Sequence, residues 1–403
     1  MEGESMSEWK EVKLGDVILH SCSGGTPKSN VSEYYDGEIP WLNTKEIDFN
    51  RIYQTERNIT QKGLDNSSAK WIDEKCVIIA MYGATAGKIA INMIPLTTNQ
   101  ACCNLKVDDR LADFRYIYYF LKKDFKILAS LANGGAQQNL NSQIIKDYVI
   151  KLPSLSIQKE ISDLLWTIDA KIETNNKLNE KLEEMAQAIF KSWFVDFEPF
   201  KDKPFHETEL GMIPEGWEVL SLTDIATFTN GLAMQKFRPN YKEPHLPVLK
   251  IKELRQGFCD DTSEICIDDI SDDFIADDGD IIFSWSGTLL VDIWCGGKCG
   301  VNQHLFKVTS EKYSKWFFYF WIKRHLAEFI RIAKDKAVTM GHIKRGHLTN
   351  ALVVVPNEKT MQNADKIFTP IIDKIIEAKI ESKRLASLRD TLLPRLMSGE
   401  LIV

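Results

Sequence analysis

Tyr82-Gly83-Ala84-Thr85-Ala86-Gly87-Lys88-Ile89 is the stretch of this chain nearest in type to a phosphate-binding loop. It lacks the first glycine at the required spacing and the Ser or Thr after the lysine, so magnesium would have no hydroxyl ligand. It reads instead as a turn between strands. Cys295 and Cys299 lie four apart with His304 beyond. A zinc site would want a second well-spaced pair, and no Cys-x-x-Cys occurs. The seven histidines offer no His-x-x-x-His pair. No Asn-Pro-Pro-aromatic motif is present to hold a flipped adenine, and no Pro-Asp precedes a Glu-x-Lys as a metal-dependent nuclease would require. Glu377-Ala378-Lys379 and Glu381-Ser382-Lys383 are helix charges, not a catalytic cluster. The chain is expected to catalyse nothing alone and to hold no metal or cofactor of its own.

What positions these residues is a duplication. Trp9-Lys10-Glu11-Val12-Lys13-Leu14-Gly15-Asp16-Val17 answers to Trp217-Glu218-Val219-Leu220-Ser221-Leu222-Thr223-Asp224-Ile225, and Ile39–Ile47 answers to Leu246–Leu254. The turn Gly83-Ala84-Thr85 matches Ser286-Gly287-Thr288, and Asn99-Gln100 matches Asn302-Gln303. Apolar runs closing in Pro153 and Pro356 end the two copies, and a long periodic segment follows each proline. A globular module plus a helix, made twice, suggests a protein that reads two related but different things.

At 403 residues and 44% apolar, the chain can bury one core per copy. Its net charge of −7 argues against a polycation that coats nucleic acid, although charge can be segregated. Ten aspartates and glutamates between 260 and 280, among them Asp260, Asp272 and Asp280, read as a solvated face. Eight cysteines without a staple pattern, and no secretory leader, indicate a reducing cytoplasm. No apolar stretch approaches the ~18 residues needed to span a bilayer, so no membrane partner is expected.

Each module reads as mixed α/β. Cys76–Tyr82 and Lys88–Ile91 are strand-like runs in the first, and Arg115–Leu121 starts a helix. Asp280–Trp285 and Trp316–Trp321 repeat that order, with aromatic bands suited to core packing. The segment between the modules is different. From Ser156, a good N-cap, one seam position takes Ile161, Ile168, Asn175, Leu182 and Ile189, and the other takes Leu165, Ile172, Asn179, Ala186 and Trp193. The C-terminal segment places Phe368, Ile375 and Ser382 on one seam, and Ile371, Ala378, Leu385 and Leu392 on the other. Neither helix has a sequence neighbour to pair with, so an antiparallel pair is the simplest solution, with Asn175 and Asn179 opposite Ala378 and Ser382. Pro370 implies a kink or a late start to the second helix. About 40 helical residues span roughly 60 Å, a ruler suited to a rigid, periodic target such as duplex DNA.

With two variable modules, each followed by a long helix, the chain resembles the specificity subunit of type I restriction-modification enzymes. The segments that carry the likeness are Gln187–Pro199 (Gln-Ala-Ile-Phe-Lys-Ser-Trp-Phe-Val-Asp-Phe-Glu-Pro), Glu209–Trp217 and Leu388–Leu401. The resemblance covers essentially the whole chain. It implies an α+β protein with two pseudo-repeated mixed α/β target recognition domains separated by two long helices in an antiparallel coiled coil. The expected boundaries are 1–153 and 217–356 for the recognition domains, 154–200 and 357–403 for the spacer helices, and 201–216 for a linker. It further implies that each module reads half of a bipartite double-stranded DNA target. The helices would dock two modification (methyltransferase) subunits. Those would carry S-adenosylmethionine and methylate adenine, while restriction (motor-nuclease) subunits with ATP and magnesium cleave unmodified DNA.

Loops bearing amides, hydroxyls and basic groups are the candidates for DNA contact, since Asn and Gln suit adenine edges and Arg and Lys suit guanine or phosphate. In the first module these are Thr26, Lys28, Lys45, Gln137, Gln138, Asn139 and Asn141. In the second they are Gln235, Lys236, Arg238, Lys252, Thr339, His342, Lys344 and Arg345. For each, a solvated polar loop is the plain alternative. Asn99-Gln100 and Asn302-Gln303 recur in both copies, which favours a structural or phosphate-positioning role, because readers of different sequences should differ. The rival function is a two-headed scaffold binding a non-DNA ligand at each module, with an enzyme of another class third. Salt-dependent DNA affinity separates the first two readings, and turnover by the isolated chain would revive the third.

The seam asparagines generate a first test. Buried seam polars fix register at a cost in stability, so Asn175→Leu with Asn179→Leu should raise the melting temperature while loosening pairing specificity. A sharp loss of stability in thermal unfolding would refute that role.

Overall fold

The computed structural model describes residues 9–133, 140–240, 242–335 and 341–401. The chain divides into two compact units, Met1–Ala170 with Ala386–Val403, and Lys171–Leu385. No helix among the described residues is long and apolar enough to cross a membrane.

In the first unit a five-stranded sheet runs in the order Ile18–Ser23, Cys102–Val107, Val77–Ala80, Ile89–Asn92, Asn50–Ile52. A four-stranded sheet follows the order Asn58–Ile59, Tyr35–Leu42, Leu96–Thr98, Trp71–Ile72, its two middle strands parallel. Val77–Ala80 is buried throughout because it is covered on both faces. Alternate residues go to opposite cores: Val77 and Ile79 meet the helix Phe114–Lys123, while Ile78 and Ala80 meet Leu42, Ile47 and Ile72. That helix is capped by Asp113, whose side chain accepts from the Arg115 N–H at 2.8 Å. Tyr116 to Leu121 are all buried. The aromatic band is core.

The second unit repeats the plan. Thr227–Asn230, Leu305–Thr309, Ile281–Ser284 and Leu290–Ile293 form one sheet, and Ile265–Ile267, His245–Leu249, Cys299–Val301 and Ile275–Ala276 the other. Ile281 and Phe283 face the helix Lys315–Asp335, and Ile282 faces the second layer. Each copy is closed by pairing its first strand with its last: Lys10–Lys13 with Val149–Leu152, and Glu218–Ser221 with Leu352–Val355. The stretch 201–216 contains a hairpin, Phe205–Thr208 against Gly211–Pro214.

The first long helix spans Leu155–Phe194 and the second Glu358–Ser398. Ser156 is not the N-cap: it lies in the first turn and its hydroxyl donates to Glu160 at 3.2 Å, while the carbonyl of Ser154 accepts from Gln158. Pro370 does not delay the second helix, which starts at Glu358 and continues through it. Pairing is antiparallel. In the second unit Asn175 Nδ2 donates to Glu381 at 2.8 Å, and Phe190 lies against Phe368 with ring centroids 6.3 Å apart. In the first unit Arg389 reaches back to Asp169 at 2.7 Å, and Ile161 and Leu165 share a core with Leu393, Leu396 and Met397.

The heptad expectation fails in the middle of both helices and at their C-terminal ends. Ile161, Leu165, Ile168, Asn175, Ile371 and Ile375 are buried as expected, but Ile172, Asn179, Leu182, Ile189, Ser382, Leu385 and Leu392 are only half-buried. Phe190 and Phe194 take over from Ile189 and Trp193, and Leu393 takes over from Leu392. A straight helix drifts against a strict heptad. At these ends it faces a module core, so a 3.6-residue stripe (Ala186, Phe190, Phe194) wins. Asn175 is satisfied, whereas Asn179 Oδ1 and Ser382 Oγ are buried without a partner.

Each module helix ties to the first long helix through a carboxylate, buried in the first unit and half-buried in the second. In the first unit Asp169 accepts from the Tyr119 hydroxyl and from Arg389, both at 2.7 Å, with Lys122 4.0 Å away. Burial pushes the Asp169 carboxyl up, but Lys122 and Arg389 outweigh it and hold it below its ordinary 3.8. Burial brings the Lys122 ammonium down to about 8. In the second unit Glu183 accepts from Tyr319 at 3.0 Å and from Lys323.

A carboxyl whose folded value is lowered stabilises fully above its unfolded value and loses that contribution as pH falls through the folded one. Asp169→Ala should therefore cost ~3–5 kcal/mol at pH 7 in urea unfolding, because the largely buried Lys122 loses its nearest carboxylate and Arg389 is left with the exposed Asp390 alone. The gap to the parent should close as pH falls through and below 3.8. A cost that is small and independent of pH would refute the role.

Candidate nucleic-acid interface

Each module carries the same backbone frame at one rim. Gly25 N–H donates to the Thr98 carbonyl at 2.8 Å, and Leu232 N–H to that of Val301 at 2.9 Å. The glycine before each sits too close for a side chain: a Cβ on Gly24 would lie 2.0 Å from the Thr98 oxygen, and one on Gly231 2.3 Å from that of Val301. Asn99 folds its side chain back to accept from the Ala101 N–H at 3.1 Å, and Asn302 does so from His304 at 3.4 Å. Both asparagines are buried, which gives the recurrent Asn-Gln pair a structural half. Next to them runs the hairpin turn, with Gly83 at φ 75° and Gly287 at φ 64°. The backbone settles the register between copies. Met81 N–H donates to the Ala101 carbonyl at 2.8 Å and Trp285 N–H to that of His304 at 3.3 Å. Met81 therefore corresponds to Trp285, Tyr82 to Ser286 and Gly83 to Gly287, one residue away from the match of Gly83 with Ser286 read in the sequence.

On this frame the first-module candidates separate. Thr26 and Lys28 are exposed on the loop after Gly24, and the Thr26 hydroxyl donates to Gln100 Oε1. Lys45 is ion-paired with Glu56 on a turn capped by Asn43. Asn141 is a helix cap, its Oδ1 accepting from the N–H groups of Gln143 and Ile144, both at 2.9 Å. Capping by Asn is worth ~1 kcal/mol to such a short helix. Gln137, Gln138 and Asn139 lie outside the described residues.

In the second module Gln235, Lys236 and Arg238 are exposed after Gly231. Lys252 is drawn into its own module, donating to Thr262 at 2.8 Å beside Asp260 at 3.5 Å. The 341–345 loop is stitched to the hairpin turn. Gly287 N–H donates to the Gly341 carbonyl and Ile343 N–H to that of Trp285, each at 3.0 Å, and Ser286 bridges His342. The His342 ring stands 6.3 Å from Trp285. Lys344 precedes the short helix Arg345–Thr349, and the Arg345 guanidinium donates to the Phe228 carbonyl at 3.3 Å. Thr339 lies outside the described residues.

Sequence reasoning missed the group at the centre of this rim. Trp285 Nε1 donates to Asn230 Oδ1 at 3.0 Å, Ser286 Oγ and His304 Nδ1 are hydrogen-bonded at 3.0 Å, and the Trp285 and His304 rings lie 6.0 Å apart at 43°. His304 is exposed and Trp285 half-buried. The strand pattern had absorbed Trp285 as core. The signal that could have found it was the repeat itself, once the turn is aligned on its positive-φ glycines.

This arrangement offers hydrogen-bonding edges and an indole at the mouth of a rigid frame. Burial raises the thiol of Cys295 to about 11 and that of Cys299 higher still, opposing the thiolates a metal would need. Among the described residues no group of three or more His, Cys, Asp or Glu side chains is placed to hold a metal ion.

The family model for the type I restriction modification DNA specificity domain matches residues 6–184 and 214–387. The chain is 32% identical over its whole length to the type I restriction enzyme MjaIX specificity subunit of Methanocaldococcus jannaschii, covering 95% of it. It is 21% identical to the HindI specificity subunit of Haemophilus influenzae, over 98% of this chain and 100% of that one. Among solved structures, the S subunit of a type I restriction-modification system from M. genitalium shares the fold, with a TM-score of 0.58 at 16% identity over 96% of each chain. Two matches of the family model along one chain, one per structural copy, and a relative aligned from end to end place this protein in the type I restriction-modification DNA specificity family.

Proposed function

We propose that this chain is the DNA-reading specificity subunit of a type I restriction-modification complex, with each module recognising one half of a bipartite duplex target. The observation that carries the reading is the pair of rims: one backbone frame made twice, carrying different side chains at matching positions. Base edges are read by such side chains, while a common frame suits the common shape of duplex DNA. Segments 1–153 and 217–356 act as recognition domains, 154–200 and 357–403 as spacer helices, and 201–216 as the join.

The chain is the non-catalytic member of the complex. Two modification subunits dock on the helices and supply S-adenosylmethionine and adenine methylation, and restriction subunits supply ATP- and magnesium-dependent cleavage, all in the cytoplasm. The contact residues in this reading are Thr26, Lys28, Gln235, Lys236, Arg238, His342, Lys344 and Arg345. Lys45 and Lys252, held by carboxylates, contribute less, and Asn141 holds the loop end as a cap.

Single-molecule methylome sequencing of cells expressing the chain with its modification subunit tests this directly. A bipartite methyladenine motif with a fixed gap, lost on deletion of this chain, is the expected result. In vitro, affinity of the assembled complex should fall linearly in log–log form with salt, and Arg345→Ala should weaken binding by ~1–3 kcal/mol. Methylation unchanged by deletion would refute the proposal.

A further inference from the structure

The two copies share one set of hydrogen bonds and differ in the side chains seated on it. The shared part is the frame: the close-packed Gly24 and Gly231, the side-chain turns of Asn99 and Asn302, the neighbouring Gln100 and Gln303, and the positive-φ Gly83 and Gly287. Strand register extends the equivalence. Ser23 pairs with Cys103 as Asn230 pairs with Phe306, and Cys102 pairs with Ala80 as Leu305 pairs with Ser284. At four positions seated on this frame the side chains differ in kind. The first module has Ser23, Met81, Tyr82 and Ala101. The second has Asn230, Trp285, Ser286 and His304.

The differences are concerted. In the first module Met81 is buried in the core and Ala101 offers no polar edge, so Tyr82 is the large group left at the surface, 37% exposed. In the second module the positions trade roles. Ser286 is small and buried, and its hydroxyl holds one nitrogen of His304, an imidazole where the first module has a methyl group. Trp285, half-buried at the edge of the core against Phe306, stands beside His304 and is tied by its bond to Asn230, a residue that is Ser23 in the other copy. With Nδ1 tied to Ser286, the Nε2 edge of His304 lies 3.5 Å from the Gln303 amide. The result is an oriented hydrogen-bonding edge, fixed by its neighbours as a reader must be. A phosphate clamp would have no reason to differ between copies, because phosphates are the same everywhere.

We infer that Trp285 and His304, oriented by Asn230 and Ser286, select the bases of the half-site read by the second module, and that Tyr82 serves at the equivalent place in the first. This rests on the proposed DNA reading, and it goes further by dividing each rim into an invariant seat and a variable reader. Tyr82 and Ser286 each directly precede the turn glycine of their module, with Trp285 and His304 beside that turn. Exchanging them should therefore change sequence choice without rebuilding the fold.

The test is methylome sequencing of the assembled system in cells, comparing the parent with His304→Ala, Ser286→Tyr and, in the other module, Ala101→His. His304→Ala and Ser286→Tyr should each reduce discrimination by roughly tenfold or more at a base position in one half of the motif. The other half should stay unchanged, an internal proof that the complex has folded and assembled. Ala101→His should alter the opposite half. Motifs unchanged in all three variants, or methylation weakened uniformly with both halves intact, would overturn the inference while leaving the DNA reading standing. A parent that yields no bipartite motif would instead remove the DNA reading itself.

Discussion

In each unit one helix is buried on nearly every side, and the other elements are arranged around that burial. Trp316 to Ile322 are all buried, as are Tyr116 to Leu121. Such a helix cannot lie on a sheet with its back to water; it needs a sheet on one side and a second apolar surface on the other. That second surface is supplied by the ends of the long helices: Ile161, Leu165, Leu393 and Leu396 in the first unit, and Phe190, Phe194 and Phe368 in the second. The polar tips of the buried aromatics then dictate partners. Trp316 Nε1 donates to Asp365 at 2.7 Å, Tyr116 to the Lys151 carbonyl at 2.8 Å, and Tyr119 and Tyr319 to Asp169 and Glu183. A recognition module and its helix ends are therefore one core, not a domain hung on a rod.

Much of this was legible in the sequence. The duplication, the strands at Val77–Ala80 and Ile281–Ser284, the aromatic helices and the antiparallel long helices all follow from periodicity and internal likeness. What was lost lies where two patterns compete. A seven-residue count carries Ile189 and Leu392 inward, but the module cores recruit Phe190 and Leu393, and burial of an aromatic ring outweighs adherence to a heptad. Likewise Pro370 reads as a break in isolation, whereas the helix passes through it.

The rim was less legible than the fold, for a different reason. Residue type nominates Asn141 and Lys252 as readers, yet one is spent on capping backbone N–H groups and the other on acidic neighbours. Only partners reveal that expenditure. Conversely Trp285 looks like the end of an apolar strand until the bond to Asn230 shows it standing at the mouth of the frame. The repeat helps most when aligned through backbone constraint, since the glycines at positive φ cannot slide by a residue as apolar runs can.

The first unit is discontinuous in the chain: Ala386–Val403 completes it after the whole of the other unit has been passed. Leu393, Leu396 and Met397 fill a core whose remaining members were laid down before residue 170. At a synthesis rate of ~5–20 residues per second, the apolar faces of Ile161 and Leu165 wait on the order of ten to fifty seconds for the synthesis of their last neighbours. During that interval the nascent chain carries an open hydrophobic seam beside a finished sheet.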